Sequence, residues 1–262
     1  MISKLLLASA TLAISAVVLG GAASASPNLV ANGGFELTTN GPNYFTGYGY
    51  SELLDWTYGA APYPNAAVYT ASVADTTGAC RPGGCFPLFG PGDGYANGFV
   101  GSPDGGNFLA SDGEAEYDGA FTQTISGLTP GGTYQVTFVW AGSQYLDSSS
   151  IYDTGSLTSD WQVSLGAQTF TTPVVSYPVH GFTGWMTQSF TYTASSTSEV
   201  LSFLAQGTPN GEPPTALLDG VSLNYVPEPG AWALMLVGLA GLGAAARLRR
   251  VARSAAHYEQ TT

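Results

Sequence analysis

Charge is what this chain lacks most. Only 9% of its residues are Asp, Glu, Lys or Arg, and only six are basic. Between Ser26 and Tyr225 the one basic residue is Arg81. It stands against sixteen acidic side chains, which leaves that span a formal charge of −15. A surface of that sign repels nucleic acid, whose binding requires Lys and Arg against phosphate. It tolerates cations, Ca²⁺ in particular, because Ca²⁺ takes carboxylate and carbonyl oxygens. Histidine is scarce too: His180 is the only one between Ser26 and Tyr225. A Ser-His-Asp triad would have to use it, yet it sits in the loop-like stretch SYPVHGFTG, and the chain has no GxSxG elbow. HExxH, a phosphate-binding Gly loop and a Cys/His cluster are missing as well.

Cysteine is limited to Cys80 and Cys85, in CRPGGC. The spacing is not CxxC and no His lies nearby, which argues against redox catalysis and against zinc. In an exported chain the pair is expected to close a small disulfide ring that pins a loop. Helical periodicity is also missing between residues 26 and 225. What is present instead is abundant Gly, Ser, Thr, Tyr and Phe, the composition of a β-rich protein with many tight turns.

Alternation supplies the strands. In Thr133 to Ala141, Tyr134, Val136, Phe138 and Trp140 fall on one face, the clearest period of two in the chain. Asn107–Ala110, Phe121–Ile125, Asp160–Leu165, Gln168–Thr172, Trp185–Thr193, Val200–Ala205 and Ala216–Tyr225 read as further strands, while residues 40–106 read as turn-rich. Short strands, regular turns and no helices predict an all-β fold, a two-sheet sandwich.

The two ends read differently. Lys4, the apolar run Leu5 to Ala23 and the small residues Ala23-Ser24-Ala25 predict a signal peptide over residues 1–25, with the mature chain starting at Ser26. Near the other end, Ala231 to Ala246 is a run of 16 uncharged residues. As a helix it spans about 24 Å, slightly less than the roughly 30 Å hydrocarbon core. Arg247, Arg249, Arg250 and Arg253 follow, and Pro227 and Pro229 precede it. This predicts a single C-terminal transmembrane helix with its basic side in the cytoplasm.

The stretch Val226-Pro227-Glu228-Pro229-Gly230, the apolar run and the Arg cluster together resemble the PEP-CTERM sorting signal of exopolysaccharide-producing Gram-negative bacteria. The hydrophilic tail Val251 to Thr262 is longer than that family's usual ending. The resemblance implies recognition by an exosortase at Pro227, Glu228 and Pro229, with Arg247, Arg249 and Arg250 as the stop. It also implies passage through the inner membrane to the cell surface or extracellular matrix. The organisation expected is then a signal peptide (1–25), a β-sandwich ectodomain (26–225), the sorting signal (226–253) and a short polar tail (254–262).

The ectodomain resembles the galactose-binding-like jelly roll of carbohydrate-binding modules. The elements that carry the likeness are NLVANGGFE, DGGNFLAS, FTQTISGLTPGGTYQVTFVWAG, WMTQSFTYTASSTSEVLSFLA and ALLDGVSL, in that order. In that family a structural Ca²⁺ site often joins the first and last strands, and the matching positions are Glu36 and Asp219. The other reading is two acids in solvent or on turn amides.

Eight aromatics lie between residues 44 and 69. Sugar rings pack their C–H faces on aromatic rings, so the loop carrying Tyr44, Tyr48 and Tyr50 is a candidate glycan contact, against ordinary packing. Trp56, Trp140, Trp161 and Trp185 are assigned to packing. Asp112, Glu114, Glu116 and Asp118 form an acidic run between strands. They read as a solvated Gly-rich loop with no sign of burial, next as a weak second Ca²⁺ site, and last as a glycosidase dyad. Three functions therefore stay open: non-catalytic binding of an extracellular polysaccharide, a glycan-active hydrolase built on residues 112–118, and a purely structural or adhesive matrix protein.

Overall fold

A computed structural model describes residues 26–46, 50–59, 65–75, 87–92, 97–145, 155–227, 235–247 and 249. Numbered in chain order, the strands are β1 (Tyr44–Thr46), β2 (Thr57–Tyr58), β3 (Ala66–Thr70), β4 (Asn107–Asp112), β5 (Phe121–Ser126) and β6 (Thr133–Gln144). They continue as β7 (Ser156–Leu165), β8 (Gln168–Thr171), β9 (Val175–Pro178), β10 (Met186–Thr193), β11 (Ser198–Thr208) and β12 (Pro214–Tyr225). One short helix, α1 (Ala71–Ala74), follows β3.

The strands form two antiparallel sheets. One runs β1-β3-β4-β12-β6-β10; the other runs β2-β5-β11-β7-β8, with β9 also on β7. The predicted all-β sandwich is therefore present. The alternation read in β6 sends Tyr134, Val136, Phe138 and Trp140 inward, where they meet Trp56, Phe121, Trp161, Leu201 and Phe203 from the opposite sheet and its loops. Trp161 is fully buried and its indole N–H donates to the Leu217 carbonyl at 3.1 Å, so the burial leaves no orphaned donor.

Two features depart from the sequence reading. The turn-rich span 40–106 holds three strands and α1, because β1 pairs with β3 and β3 with β4 although their own sequences are short. A second apolar cluster, moreover, lies on the outer face of the first sheet. Tyr69, Phe108, Ala110, Ala141 and Leu217 point away from the main core and are covered by Ala74, Leu88 and Phe99, with Phe182 and Trp185 at the margin. Trp185 belongs here: its ring meets Phe108 edge-on at 5.4 Å and its N–H donates to the Val100 carbonyl at 3.2 Å.

Residues 235–247 are helical with exposed side chains. At 1.5 Å per residue they reach about 20 Å. Among the described residues no helix is long and apolar enough to cross a membrane. The signal peptide at 1–25, Cys80 and Cys85, Tyr48, and Glu228, Pro229 and Arg250 of the sorting signal lie outside the described residues.

Candidate functional site

A bulge in β12 sets up the first candidate. The pairing of β12 with β6 shifts register between Asp219 and Ser222, with Gly220 at φ +58°. A Cβ on Gly33 would lie 2.0 Å from the Val221 carbonyl oxygen, so the N-terminal segment can touch β12 only because glycine stands there. This contact brings Glu36 toward Asp219. Asp104 joins them: a Cβ on Gly34 would sit 3.5 Å from Asp104 Oδ2, 3.9 Å from Asp219 Oδ1 and 4.0 Å from Glu36 Cγ. The missing side chain of Gly34 therefore leaves a space faced by three acids.

Their electrostatics are uneven. Glu36 and Asp104 are exposed, and Glu36 Oε1 accepts the Asn107 amide at 2.8 Å. Asp219 is fully buried, and neither of its carboxylate oxygens makes a hydrogen bond of good geometry. Burial pushes its carboxyl up to about 7, and the charges of Asp104 and Glu36 push the same way, against the nearby Ser102 hydroxyl and Gly220 amide. The two acids named from sequence, Glu36 and Asp219, are thus brought together. Asp104 was missed, because a lone Asp in a Gly-rich loop carries no distinguishing signal.

The acidic run 112–118 differs from its sequence reading. Asp112 is 1% exposed and Glu114 4% exposed, so the first half of the run is buried; Glu116 is exposed and Asp118 half-buried. Asp112 Oδ1 accepts the Glu114 amide at 3.0 Å and Oδ2 accepts from Asn65 Nδ2 at 3.1 Å. Glu114 Oε1 accepts the Gly211 amide at 2.8 Å. Desolvation is the main cause that raises Asp112 to about 8, and it raises Glu114 as well. Raised carboxyls are what acid catalysis needs. Here, however, the bonded oxygens are engaged in holding turns.

The second candidate is a cleft of about 390 Å³ between residues 90–92 and 178–182, lined by Gly90, Pro91, Pro178, Val179, His180 and Phe182 among others. His180 adopts φ +64°. Its amide donates to Gln144 Oε1 at 2.7 Å, which fixes that unusual backbone, and its ring stacks on Phe89 with centroids 4.3 Å apart. Phe182 leans on Phe99 at 5.1 Å. The result is a concavity with two rings at its wall and, among the described residues, no Asp, Glu, Lys or Arg in its lining, within the size range of small-ligand sites. The sequence marks His180 and its loop SYPVHGFTG only as the one place for a triad histidine, and nothing marks residues 90–92, since the cleft forms between loops about 90 positions apart. Tyr44 and Tyr50, which were singled out, lie elsewhere. Tyr44 is half-buried in β1 at the edge of the first sheet, and Tyr50 is 48% exposed.

Among the solved structures to which this chain is similar are several carbohydrate-binding modules. One is TmCBM61, in complex with beta-1,4-galactotriose: 14% identity, TM-score 0.40, covering 77% of this chain and 100% of that one. A CBM4 structure matches at 16% identity and TM-score 0.30, over 75% and 99%. The CBM22-1 xylan-binding domain of Paenibacillus barcinonensis Xyn10C matches at 12% identity and TM-score 0.36, over 79% and 99%. These are likenesses of fold at low identity, and the ligands in those names belong to those proteins. No curated protein sequence matches the chain. At the C-terminal end, residues 226–250 match the PEP-CTERM protein-sorting motif.

Proposed function

We propose that this chain is an exported surface or matrix protein whose β-sandwich binds carbohydrate without cleaving it. The observation that carries the binding role is the cleft: among the described residues its lining holds no Asp, Glu, Lys or Arg, and the rings of Phe182 and His180 face it, suited to the C–H face of a neutral sugar. Tyr44, Tyr48 and Tyr50 offer a separate aromatic contact. The sorting motif at 226–250 supports export. In this reading the signal peptide directs the chain to the inner membrane, the apolar segment after Pro229 holds it there, and an exosortase acts at Pro227-Glu228-Pro229. Export also places Cys80 and Cys85 where a disulfide persists.

Calcium belongs to the same proposal. The residues fit it: Asp219 offers two buried oxygens with no partner, and Gly34 leaves the space beside them open. Among the described residues no three His, Cys, Asp or Glu side chains are grouped closely enough to hold an ion unaided. Glu36, Asp104 and Asp219 would therefore share the ion with main-chain carbonyls and water, as Ca²⁺ sites of six to eight oxygens commonly do. Ca²⁺ there supplies charge compensation and a tie between chain segments, with no part in bond cleavage.

The test is retention of residues 26–227 on the exopolysaccharide of the source organism, followed by a reducing-end assay. Phe182→Ala is expected to weaken retention at least about tenfold, the size of 1.4 kcal/mol, while Tyr50→Ala reports on the second contact. New reducing ends that vanish in Glu114→Gln would replace the binding role with the hydrolase. Absence of any retention would leave the structural matrix role.

A further inference from the structure

The acids of this chain are not spread over its surface. From Trp161 to Ser198 there is no Asp, Glu, Lys or Arg, although the span 26–225 holds sixteen acids. The fold gathers part of that neutral stretch on one side. β8 is the edge of one sheet and β10 the edge of the other. The two edges adjoin: Phe170 of β8 stacks on Phe190 of β10 at 5.3 Å and meets Tyr192 edge-on at 5.1 Å. Phe170 remains 41% exposed, and Val174 just beyond β8 is 63% exposed.

β10 is an open edge of unusual plainness. It runs Met186 to Thr193 with eight successive partners on β6 and no bulge. It carries no Lys and no Pro, the usual devices against edge-to-edge pairing. The main chain of Thr193 already shows what the edge accepts. Gln168 reaches over and makes two bonds to it, receiving the Thr193 amide on Oε1 at 3.1 Å and donating Nε2 to the Thr193 carbonyl. By the alternation of an antiparallel ladder, Thr187, Ser189 and Thr191 turn their main-chain groups the same way. Among the described residues no strand pairs with β10 on that side. The side chains of Thr187, Ser189 and Thr191 are exposed hydroxyls.

We propose that the β8–β10 side is a self-association surface, on which β10 pairs antiparallel with β10 of a second copy of this chain. Charge selects the occupant. Two domains of formal charge −15 repel, and β8 and β10 themselves carry no acid to oppose across such a pairing, with Glu199 held at the Ser195 end by the Ser195 and Ser196 amides. A basic partner finds no complement there. A two-fold pairing is self-complementary, since each edge presents the same row of Thr and Ser to the other, and cross-strand hydroxyl pairs are favourable. The exposed Phe170 and Val174 add apolar area beside the new ladder. The product is one continuous sheet across two molecules, suited to a protein that builds or coats a matrix.

Residues 26–227 contain both apolar clusters, and the described C-terminal helix buries none of its side chains, so this segment serves for the test. Sedimentation across the micromolar range should show a dimer that tightens with added salt, because salt screens the repulsion between copies. Ser189→Lys places a charge on the edge, and Thr191→Pro removes one outward N–H without adding charge. Each should raise the dimer dissociation constant at least about tenfold while near-ultraviolet circular dichroism stays unchanged. Amide exchange at Thr187, Ser189 and Thr191 should slow as concentration rises. A wild-type domain that stays monomeric at both salts overturns the proposal. So does a dimer that survives both variants, or one whose exchange protection falls elsewhere. If Ser189→Lys weakens glycan retention but not association, the surface is a glycan contact and the proposal fails.

Discussion

Asp112 shows how far a single residue's environment can run against its sequence. It lies in DGEAEYD, a run that reads as a solvated loop, yet its carboxyl is 1% exposed and raised to about 8. The groups that bury and hold it are remote: Asn65 lies 47 positions away, and the Gly211 amide on neighbouring Glu114 lies 97 away. No local pattern announces such partners. The consequence for stability has a definite sign. The ordinary value is 3.8 and the folded value about 8, so between those limits the folded state binds a proton that the unfolded state has lost. Stability is therefore full in acid and falls as pH rises from about 4 to about 8. Asp112→Asn removes the ionisation. Asn65 Oδ1 has no partner in the fold, so a flipped Asn65 amide can accept from the new side chain. The variant is expected to melt higher than wild type at pH 8, by several degrees at about 2–4 °C per kcal/mol for a domain of this size, and to match it only near the unfolded value, at about pH 4. A variant that melts lower at pH 8 would mean that the ionised carboxylate is held favourably.

At the scale of elements, legibility follows periodicity. β6, β10 and β11 are long and were readable because most of their positions alternate between core and outer face; β12 was readable from its alternating second half, although its first six positions are all buried. Trp161 in β7 is the measure of that core: Trp161→Ala should cost about 3–5 kcal/mol, read as a lowered denaturation midpoint. β1, β2 and β3 were not readable. They span two to five residues, and their order comes from pairing rather than from their own sequence. The outer cluster was invisible for a related reason. In β4 all six positions are buried, because Phe108 and Ala110 face the covering loops while Leu109 faces the main core, so alternation is erased. Phe108→Ala should therefore destabilise about as much as an inward-facing Phe does, about 3–5 kcal/mol. A cost below 1 kcal/mol would show that the covering loops do not pack. The β12 bulge offers a finer test. Gly220 sits at φ +58°, and a Cβ there would lie 3.0 Å from Asp104 Cγ. Gly220→Ala should thus move Asp104 and weaken any response to Ca²⁺ more than it lowers stability in chelator.

Over the whole molecule, the question is what holds the beginning of the sandwich to its end. Asn28 reaches β12 through its carboxamide, with Oδ1 accepting the Leu223 amide at 2.9 Å, and Leu29 donates to the Leu223 carbonyl at 2.9 Å. Val221 returns a bond to the Gly33 carbonyl at 2.9 Å. These few bonds lie next to Glu36, Asp104 and Asp219, three acids from three separate parts of the chain with no described basic group between them. Without a cation, that juxtaposition opposes closure, and burial together with the charges of Asp104 and Glu36 raises the Asp219 carboxyl to about 7. In the proposed Ca²⁺-bound form the same three acids would act as a clasp, and binding energy would add directly to folding energy. At a hundredfold excess over the dissociation constant the gain is about 2.7 kcal/mol. Residues 26–227 should accordingly melt higher in Ca²⁺ than in chelator, and amide exchange of residues 28–37 should slow with the metal. Asp219→Asn should abolish both effects while leaving the chelated protein as stable as wild type or more so, because the substitution removes a buried acid without removing a bond. Equal melting with and without Ca²⁺ in the wild type would assign Asp219 to the fold alone, as a neutral acid sealed beneath two surface carboxylates.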